Sequence, residues 1–324
     1  MQIRKILPAL LFGTALFGFT AYLLLDTFVI TDRIAAVQGS PSRTEASASE
    51  SDAEIEIVTV GTETDALSES ASEPILSADP VWTDTSYRDG NIAIVLTDYR
   101  ISDTTVHVAD VTLSSAEYLR TAFAENTYGR NVTQKTSDIA ESVNAILAIN
   151  GDYYGAQRAG YVIRGGVLYR SKANRDAEDL VIWRDGSFSI VNESDVSAEA
   201  LLEAGAWDVL SFGPALVQDG VVAVSEIEEV GRAMASNPRT AIGILGDGHY
   251  VFVVADGRTG SDDGLSLYEL AEFLESLGVQ TAYNLDGGGS SSMVFMGTVV
   301  NTPANGRGSS ERSVSDIVYI GYGV

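Results

Sequence analysis

Tyr283-Asn-Leu-Asp-Gly-Gly-Gly-Ser-Ser-Ser-Met293 runs from apolar residues into an acid, three glycines and three serines. Thr281–Leu285 reads as a strand that delivers Asp286 at its end. Three glycines in a row cost backbone entropy and bury nothing. Such a run is tolerated where backbone must come close to something or take a positive φ. An acid at a strand end, followed by amides with no side chains in front of them, describes a site for a polar or anionic ligand. The next run, Met293–Val300, reads as a strand and not a helix. The expected anion site is therefore a nest of amides and not a helix N-terminus.

Working outward, the same pattern recurs. Ala145–Ile149 is an apolar run of strand length that ends in Asn150-Gly-Asp152. Tyr250–Ala255 is another, ending in Asp256-Gly-Arg258. In Asn237-Pro-Arg-Thr-Ala-Ile-Gly-Ile244, Arg239 and Thr240 stand where a loop enters an apolar strand. One such end is an ordinary turn, since Asn-Gly is a common hairpin signal. Three acid-bearing ends with Arg239 on a fourth strand predict one rim assembled from separate strands.

The remaining elements surround that rim. Asn91–Thr97 and Thr104–Leu113 alternate and are rich in branched residues, as strands are. Tyr161–Tyr169 reads as a hairpin turning at Gly165-Gly166, and Val181–Trp183 with Ser187–Val191 as another around Asp185-Gly186. Ser115–Asn126 and Ser137–Asn144 read as helices, the second with Ser137 as N-cap. Ser266–Leu277 is the clearest helix: Ser266 and Glu269 form a capping box, one face is apolar, and Gly278 ends it. Phe212-Gly-Pro214 breaks an apolar stretch, which suggests a bulge or a close approach. Val314–Tyr322 is the last strand. His107 on a strand and His249 in a turn read as satisfied or surface residues. Arg164 reads as a solvated arginine or one aimed into a site. The expected fold class is α+β: a single domain with a mixed, largely antiparallel sheet and a few packed helices.

Three segments of different character make up the 324 residues. In 1–30, Arg4 and Lys5 precede an uncharged run from Ile6 to Leu25. Such a run spans roughly 30 Å as a helix. Basic residues before it put the N-terminus in the cytoplasm. The expectation is an uncleaved signal anchor, a single membrane span with the rest of the chain outside. Residues 31–80 hold eleven acids and two bases and lack aromatics, which predicts a disordered acidic tether. Residues 81–324 carry the fold, with 33 acids and 16 bases of the chain's 45 and 20. The net charge of −25 argues against nucleic acid as a partner. Two histidines and no cysteine make Ser–His hydrolysis and zinc chemistry poor fits.

At the strand ends the sequence resembles a known family. Ala148-Ile-Asn-Gly-Asp-Tyr-Tyr154, Phe212-Gly-Pro214, Pro238-Arg-Thr-Ala-Ile-Gly243, Asp256-Gly-Arg258 and Asn284-Leu-Asp-Gly-Gly-Gly-Ser290 are similar to the phosphodiester glycosidases, from about Ser115 to the C-terminus. The resemblance implies hydrolysis of a sugar–phosphate glycosidic bond, and bacterial members are associated with exopolysaccharide. Ordinary glycosidases use two carboxylates, one to protonate a poor leaving group. A phosphate ester leaves as a stable anion, so it needs cations and amide donors more than a general acid. Asp286, Asp256 and Asp152 are the candidate catalytic carboxylates, Asp286 first, with Glu311 an outside candidate. Asn150, Arg239, Thr240, Arg258, Gly287, Gly288, Gly289, Ser290 and Arg312 are the candidate substrate-binding residues. No cofactor is expected. Clustered Asp and Asn could hold Ca²⁺ instead, although no EF-hand spacing is present. The expected partners are a glycan or sugar-phosphodiester substrate and a membrane through the N-terminal helix. The second reading, from another class, is a non-catalytic module binding envelope glycans on the same fold.

Overall fold

The computed structural model describes residues 79–175, 177–225, 236–305 and 308–323, with Thr20 and Asp32–Arg33. The expected anchor and nearly all of the expected tether lie outside these residues. Among the described residues no helix is long and apolar enough to cross a membrane.

A nine-stranded sheet forms the backbone of the fold. Its strands are β1 (Val81–Trp82), β2 (Ser86–Arg88), β3 (Ile92–Ile101), β4 (Thr104–Leu113), β12 (Ala215–Gln218), β13 (Val221–Val222), β14 (Arg239–Gly246), β15 (His249–Ala255) and β16 (Thr281–Leu285). Their order is β13-β12-β16-β14-β15-β4-β3-β2-β1. A first five-stranded sheet has the order β18-β17-β6-β19-β5. It contains β5 (Leu119–Phe123), β6 (Leu147–Asn150), β17 (Met293–Phe295), β18 (Thr298–Val299) and β19 (Asp316–Ile320). A second has the order β8-β7-β11-β9-β10. It contains β7 (Val162–Arg164), β8 (Val167–Arg170), β9 (Glu178–Trp183), β10 (Phe188–Asn192) and β11 (Ala206–Leu210). Among the described residues from 79 onward, three α-helices accompany the sheets: α1 (Thr136–Ser142), α2 (Ala198–Glu203) and α3 (Leu267–Ser276). This is a sheet-rich α+β fold with few helices, and the strand pairs of these three sheets are antiparallel.

Alternation along β14, β15 and β16 explains the layering. Ile242, Ile244, Tyr250, Phe252, Val254, Tyr283 and Leu285 face one way. They meet Leu147, Ile149, Val318 and Ile320 of one small sheet and Leu180, Ile182 and Leu210 of the other. The intervening Ala241, Val251, Val253, Ala255 and Ala282 face the other way, under Leu267, Leu270, Ala271 and Leu274 of α3. Covered on both sides, these strands read as nearly continuous apolar runs. Each large side chain so buried stabilises by about 1.5–3 kcal/mol.

The capping box on α3 forms as expected, with Ser266 and Glu269 each accepting from the other's amide. Ser115–Asn126 differs from the helical expectation. It holds two short 3₁₀ turns around β5, which pairs with β19 from Leu119↔Ile320 to Phe123↔Asp316. A free strand edge with Leu119 fully buried outweighs the segment's modest helix propensity. Met293–Val300 is two strands turning at Met296-Gly297, both with positive φ, and not one. The helix α2, capped by Ser197, has no counterpart among the expected helices.

Candidate active site

Register brings the expected strand ends to one rim. Arg239 pairs with Ala255 and Thr240 with Leu285, so β14 begins where β15 and β16 end. Ile149 pairs with Met293, which sets the end of β6 beside the start of β17. Asn150 closes the gap between the sheets. It is fully buried, its Nδ2 donates to the Asp286 carbonyl at 2.6 Å, and its Oδ1 accepts from Thr240 Oγ1 at 2.8 Å and from the Ser292 amide at 3.2 Å. Asn150 and Thr240 are thus bonded to the frame of the rim.

The three acids share this rim and differ in access. Asp152 is fully buried. Its Oδ2 accepts from Arg164 Nη2 at 2.9 Å and from the Ser211 amide at 2.8 Å, and its Oδ1 from the Tyr154 amide at 3.1 Å. Arg164 Nη2 also donates to Asp316 Oδ2 at 2.8 Å. Burial, with Asp152 nearby, pushes the Asp316 carboxyl up to about 7. Asp256 accepts from Thr302 N at 2.9 Å and Asn301 Nδ2 at 3.3 Å on Oδ1, and faces His107 Nε2 at 3.3 Å on Oδ2. His107 Nδ1 lies 2.7 Å from Asp98 Oδ1. Although burial opposes it, the two carboxylates raise the His107 pKa, so the imidazolium is favoured.

Asp286 is the partly open acid. Its side chain keeps 11% of its exposure and pairs with Arg312 Nη2 at 2.8 Å, while Arg312 itself is 41% exposed. Ser290 Oγ donates to the same Asp286 oxygen at 2.5 Å, and Arg312 Nε donates to Ser290 Oγ at 2.8 Å. Burial raises the Asp286 pKa, and Ser290 and Arg312 oppose that rise.

The glycines supply the close approach and positive φ expected of them, but some of the expected free amides are engaged. Gly288–Ser290 is a 3₁₀ turn, and the amides of Gly288, Ser290 and Ser291 donate to the carbonyls of Pro238, Gly287 and Gly288. Two amides of the expected Gly287–Ser290 nest are therefore taken by the protein's own carbonyls. Close approach is what the glycines supply. A Cβ on Gly287 would stand 2.9 Å from the Pro238 carbonyl oxygen, and Gly288 has φ +63° with Arg258 Nη1 3.3 Å from the place of its Cβ. Gly289 sits in the same turn, and its carbonyl accepts from the Arg312 amide at 3.2 Å.

Arg258 is exposed, lies over Gly288, and is steadied by Asn237 Oδ1 at 3.1 Å from its Nε. Arg239 shares the face of Ala241, is buried, and donates from Nε to the Leu265 carbonyl at 2.8 Å. It braces the loop that carries Arg258. Glu311 accepts from the amide and hydroxyl of Ser137 at 3.0 and 2.5 Å, so it caps α1 from outside. Ser137, read as the N-cap, is the donor in that cap, and Lys135 holds the N-cap position. Among the described residues no group of three or more acidic or histidine side chains is arranged to hold a metal ion.

A profile described as phosphodiester glycosidase matches residues 143–321. The chain belongs to the phosphodiester glycosidase family. It is 29% identical over 200 residues to the prophage-derived protein YomE of Bacillus subtilis strain 168, covering 60% of this chain and 31% of that protein. It is 29% identical over 182 residues to mouse N-acetylglucosamine-1-phosphodiester alpha-N-acetylglucosaminidase, covering 52% of this chain and 35% of the enzyme. The chain thus spans about a third of the length of these curated relatives. The catalytic domain of the zebrafish enzyme of that name, auto-inhibited by its pro-peptide, superposes with a TM-score of 0.56 at 22% identity. That superposition covers 80% of this chain and 88% of the domain, and it shows a shared fold.

The family match takes in Asn150, Asp152, Arg239, Thr240, Asp256, Arg258, Asp286, Ser290 and Arg312. His107 and Asp98 precede it, on β4 and β3. Sequence reasoning set His107 aside because a lone histidine on a strand carries no signal. The signal that could have found it is the pairing of β3, β4 and β15, which puts His107 opposite both Asp98 and Val254.

Proposed function

We propose that the chain is a glycosidase that hydrolyses the sugar–phosphate bond of a sugar-1-phosphodiester. The observation that carries this reading is the Asp286–Arg312 pair, partly open to solvent at a rim whose other two acids are closed off. Asp286 faces the anomeric carbon as a carboxylate and takes a proton from the attacking water. The bond from the anomeric carbon to the phosphate oxygen breaks, and its electron pair leaves with the phosphate monoester. The donors of Arg312 not engaged with Asp286 or Ser290, and the exposed Arg258 across the glycine turn, hold the phosphate. Two cations and one acid make this mouth net positive in a chain of charge −25, which suits an anionic substrate. Ser290 orients Asp286, and Asn150, Thr240 and Arg239 fix the strand ends that carry the reacting groups. Asp152 and Asp256 hold Arg164 and the Asn301–Thr302 turn in place.

The test is product analysis. The full chain should release free sugar from the methyl phosphodiester of N-acetylglucosamine 1-phosphate, and Asp286→Asn or Arg312→Ala should abolish release. Binding of that compound with no turnover by the wild type would make the chain a glycan-binding module instead.

The substrate setting follows from the N-terminal sequence. The Ile6–Leu25 run anchors the chain in the cell membrane, and residues 31–80 extend the domain into envelope or exopolysaccharide glycans. Protease added to intact cells should then remove the domain and leave the N-terminus protected. Full protection of the domain would contradict this placement.

A further inference from the structure

Tyr153 stands between two residues that are tied down on either side. Asp152 is held by Arg164 and by the Ser211 amide, and its Oδ1 accepts from the Tyr154 amide, closing a tight local turn. Tyr154 is buried. Its ring stacks on Tyr128 at 5.2 Å and 15°, and meets Phe123 edge-on at 5.2 Å. With both neighbours fixed, Tyr153 is left at φ 67°, ψ 22°, in the left-handed region. A bulky residue there is an outlier, kept only where its surroundings over-determine it. Asparagine or glycine would suit this backbone better.

The consequence is an aromatic ring turned outward at the rim. Tyr153 is 41% exposed. The Arg312 guanidinium carbon lies 5.9 Å from the ring centroid. Arg312 is the same residue that pairs with Asp286. One arginine therefore touches both the carboxylate and the ring. A second exposed aromatic, Phe212, follows the Ser211 whose amide Asp152 holds.

We infer that Tyr153 is the platform for the sugar ring of the substrate. Its face is electron-rich and apolar, which matches the C–H face of a pyranose. A sugar stacked there places its 1-phosphate within reach of Arg312, so the two halves of one sugar phosphodiester find different partners on adjacent residues. The inference rests on the function proposed above and adds the group that recognises the sugar. It also accounts for a tyrosine at a backbone position that disfavours one.

The experiment uses the full chain with Tyr153→Asn and Tyr153→Phe. Asparagine tolerates the left-handed backbone and cannot stack, so folding is not at stake. Tyr153→Asn should raise KM for the methyl phosphodiester of N-acetylglucosamine 1-phosphate by about tenfold with kcat little changed. Tyr153→Phe should keep the wild-type KM. Competitive inhibition by inorganic phosphate should be the same in wild type and Tyr153→Asn, and weaker in Arg312→Ala. An unchanged KM in Tyr153→Asn, a Phe variant as weak as the Asn variant, or a parallel loss of phosphate inhibition in Tyr153→Asn would each overturn the platform. If the wild type turns over no phosphodiester, the proposed reaction fails while the platform is still read directly. Saturation-transfer NMR of methyl N-acetylglucosaminide should then show contact with wild type and Tyr153→Phe but not with Tyr153→Asn. No contact with wild type, or equal contact in all three, would reject the platform.

Discussion

Asp152–Arg164–Asp316 and Asp286–Arg312 use the same two residue types near the same rim, and the fold treats them oppositely. In the first, all three side chains are at most 5% exposed and Arg164 bridges both acids. A Cβ on Gly151 would stand 2.2 Å from Asp316 Oδ1, so the neighbouring backbone is pressed against the cluster. In the second, the arginine is 41% exposed and the acid keeps a partly open edge. A charge that is closed off from solvent and paired with protein groups can hold strands together. A charge with one side open can also meet a ligand. Residue type does not distinguish these roles; access does.

The contrast is sharpest in Asp286→Asn. It should lower kcat/KM by about 10³-fold or more, equivalent to about 4 kcal/mol of transition-state stabilisation. Thermal stability should not fall, because burial already disfavours the ionised form of Asp286. Asp152→Asn should show the reverse emphasis, with a clear loss of Tm. Equal activity losses with no loss of Tm would erase the distinction.

Next in size is the stability difference between the two arginines. Arg164→Ala leaves two acids in a closed site and should cost about 3–5 kcal/mol in denaturant unfolding. Arg312→Ala breaks a half-exposed pair and should cost less than about 1 kcal/mol. Similar costs would mean that the two sites are equally closed.

The pH dependence is a smaller effect with a definite sign. The folded pKa values of Asp316 and His107 are both raised, Asp316 to about 7 from 3.8 and His107 above 6.5. A group with a raised folded pKa stabilises fully below its unfolded pKa and loses that contribution as pH rises through the folded one. Asp316 should therefore erode stability between about pH 4 and 7, and His107 above about pH 6.5. Tm should fall from pH 5 to pH 8, and Asp316→Asn should flatten the lower part of that slope. A Tm that rises over this range would contradict the assigned charges.

The smallest effect separates Glu311 from its neighbour Arg312. Glu311→Ala removes the cap on α1 and should cost about 1 kcal/mol in unfolding with kcat/KM preserved. A large loss of activity with unchanged stability would move Glu311 from the cap to the chemistry.

Much of this was legible in the sequence because the informative residues sit at strand ends. Asp286, Asp256 and Asn150 each stop an apolar run, which marks them as strand ends; their meeting at one rim comes from β14 pairing with both β15 and β16 and from the bonds of Asn150 between the sheets. Ser266 and Glu269 announced α3 because a capping box is local. The closed cluster was not legible. Asp152 and Asp316 are 164 positions apart, and Arg164 lies beside a glycine turn that looks exposed. Nothing local marks a bond across such a distance. The glycine nest misled for a related reason: whether an amide is free depends on the carbonyl of Pro238, which arrives from another strand.

The central claim is that the open acid acts at the sugar carbon. Hydrolysis of the methyl phosphodiester of N-acetylglucosamine 1-phosphate in ¹⁸O-water reads it directly, with both products analysed by mass spectrometry. Attack at the anomeric carbon by the water that Asp286 activates puts the label in the free sugar and leaves methyl phosphate unlabelled. Label in the phosphate, with the sugar released as its 1-phosphate, would place the attack at phosphorus and contradict the account.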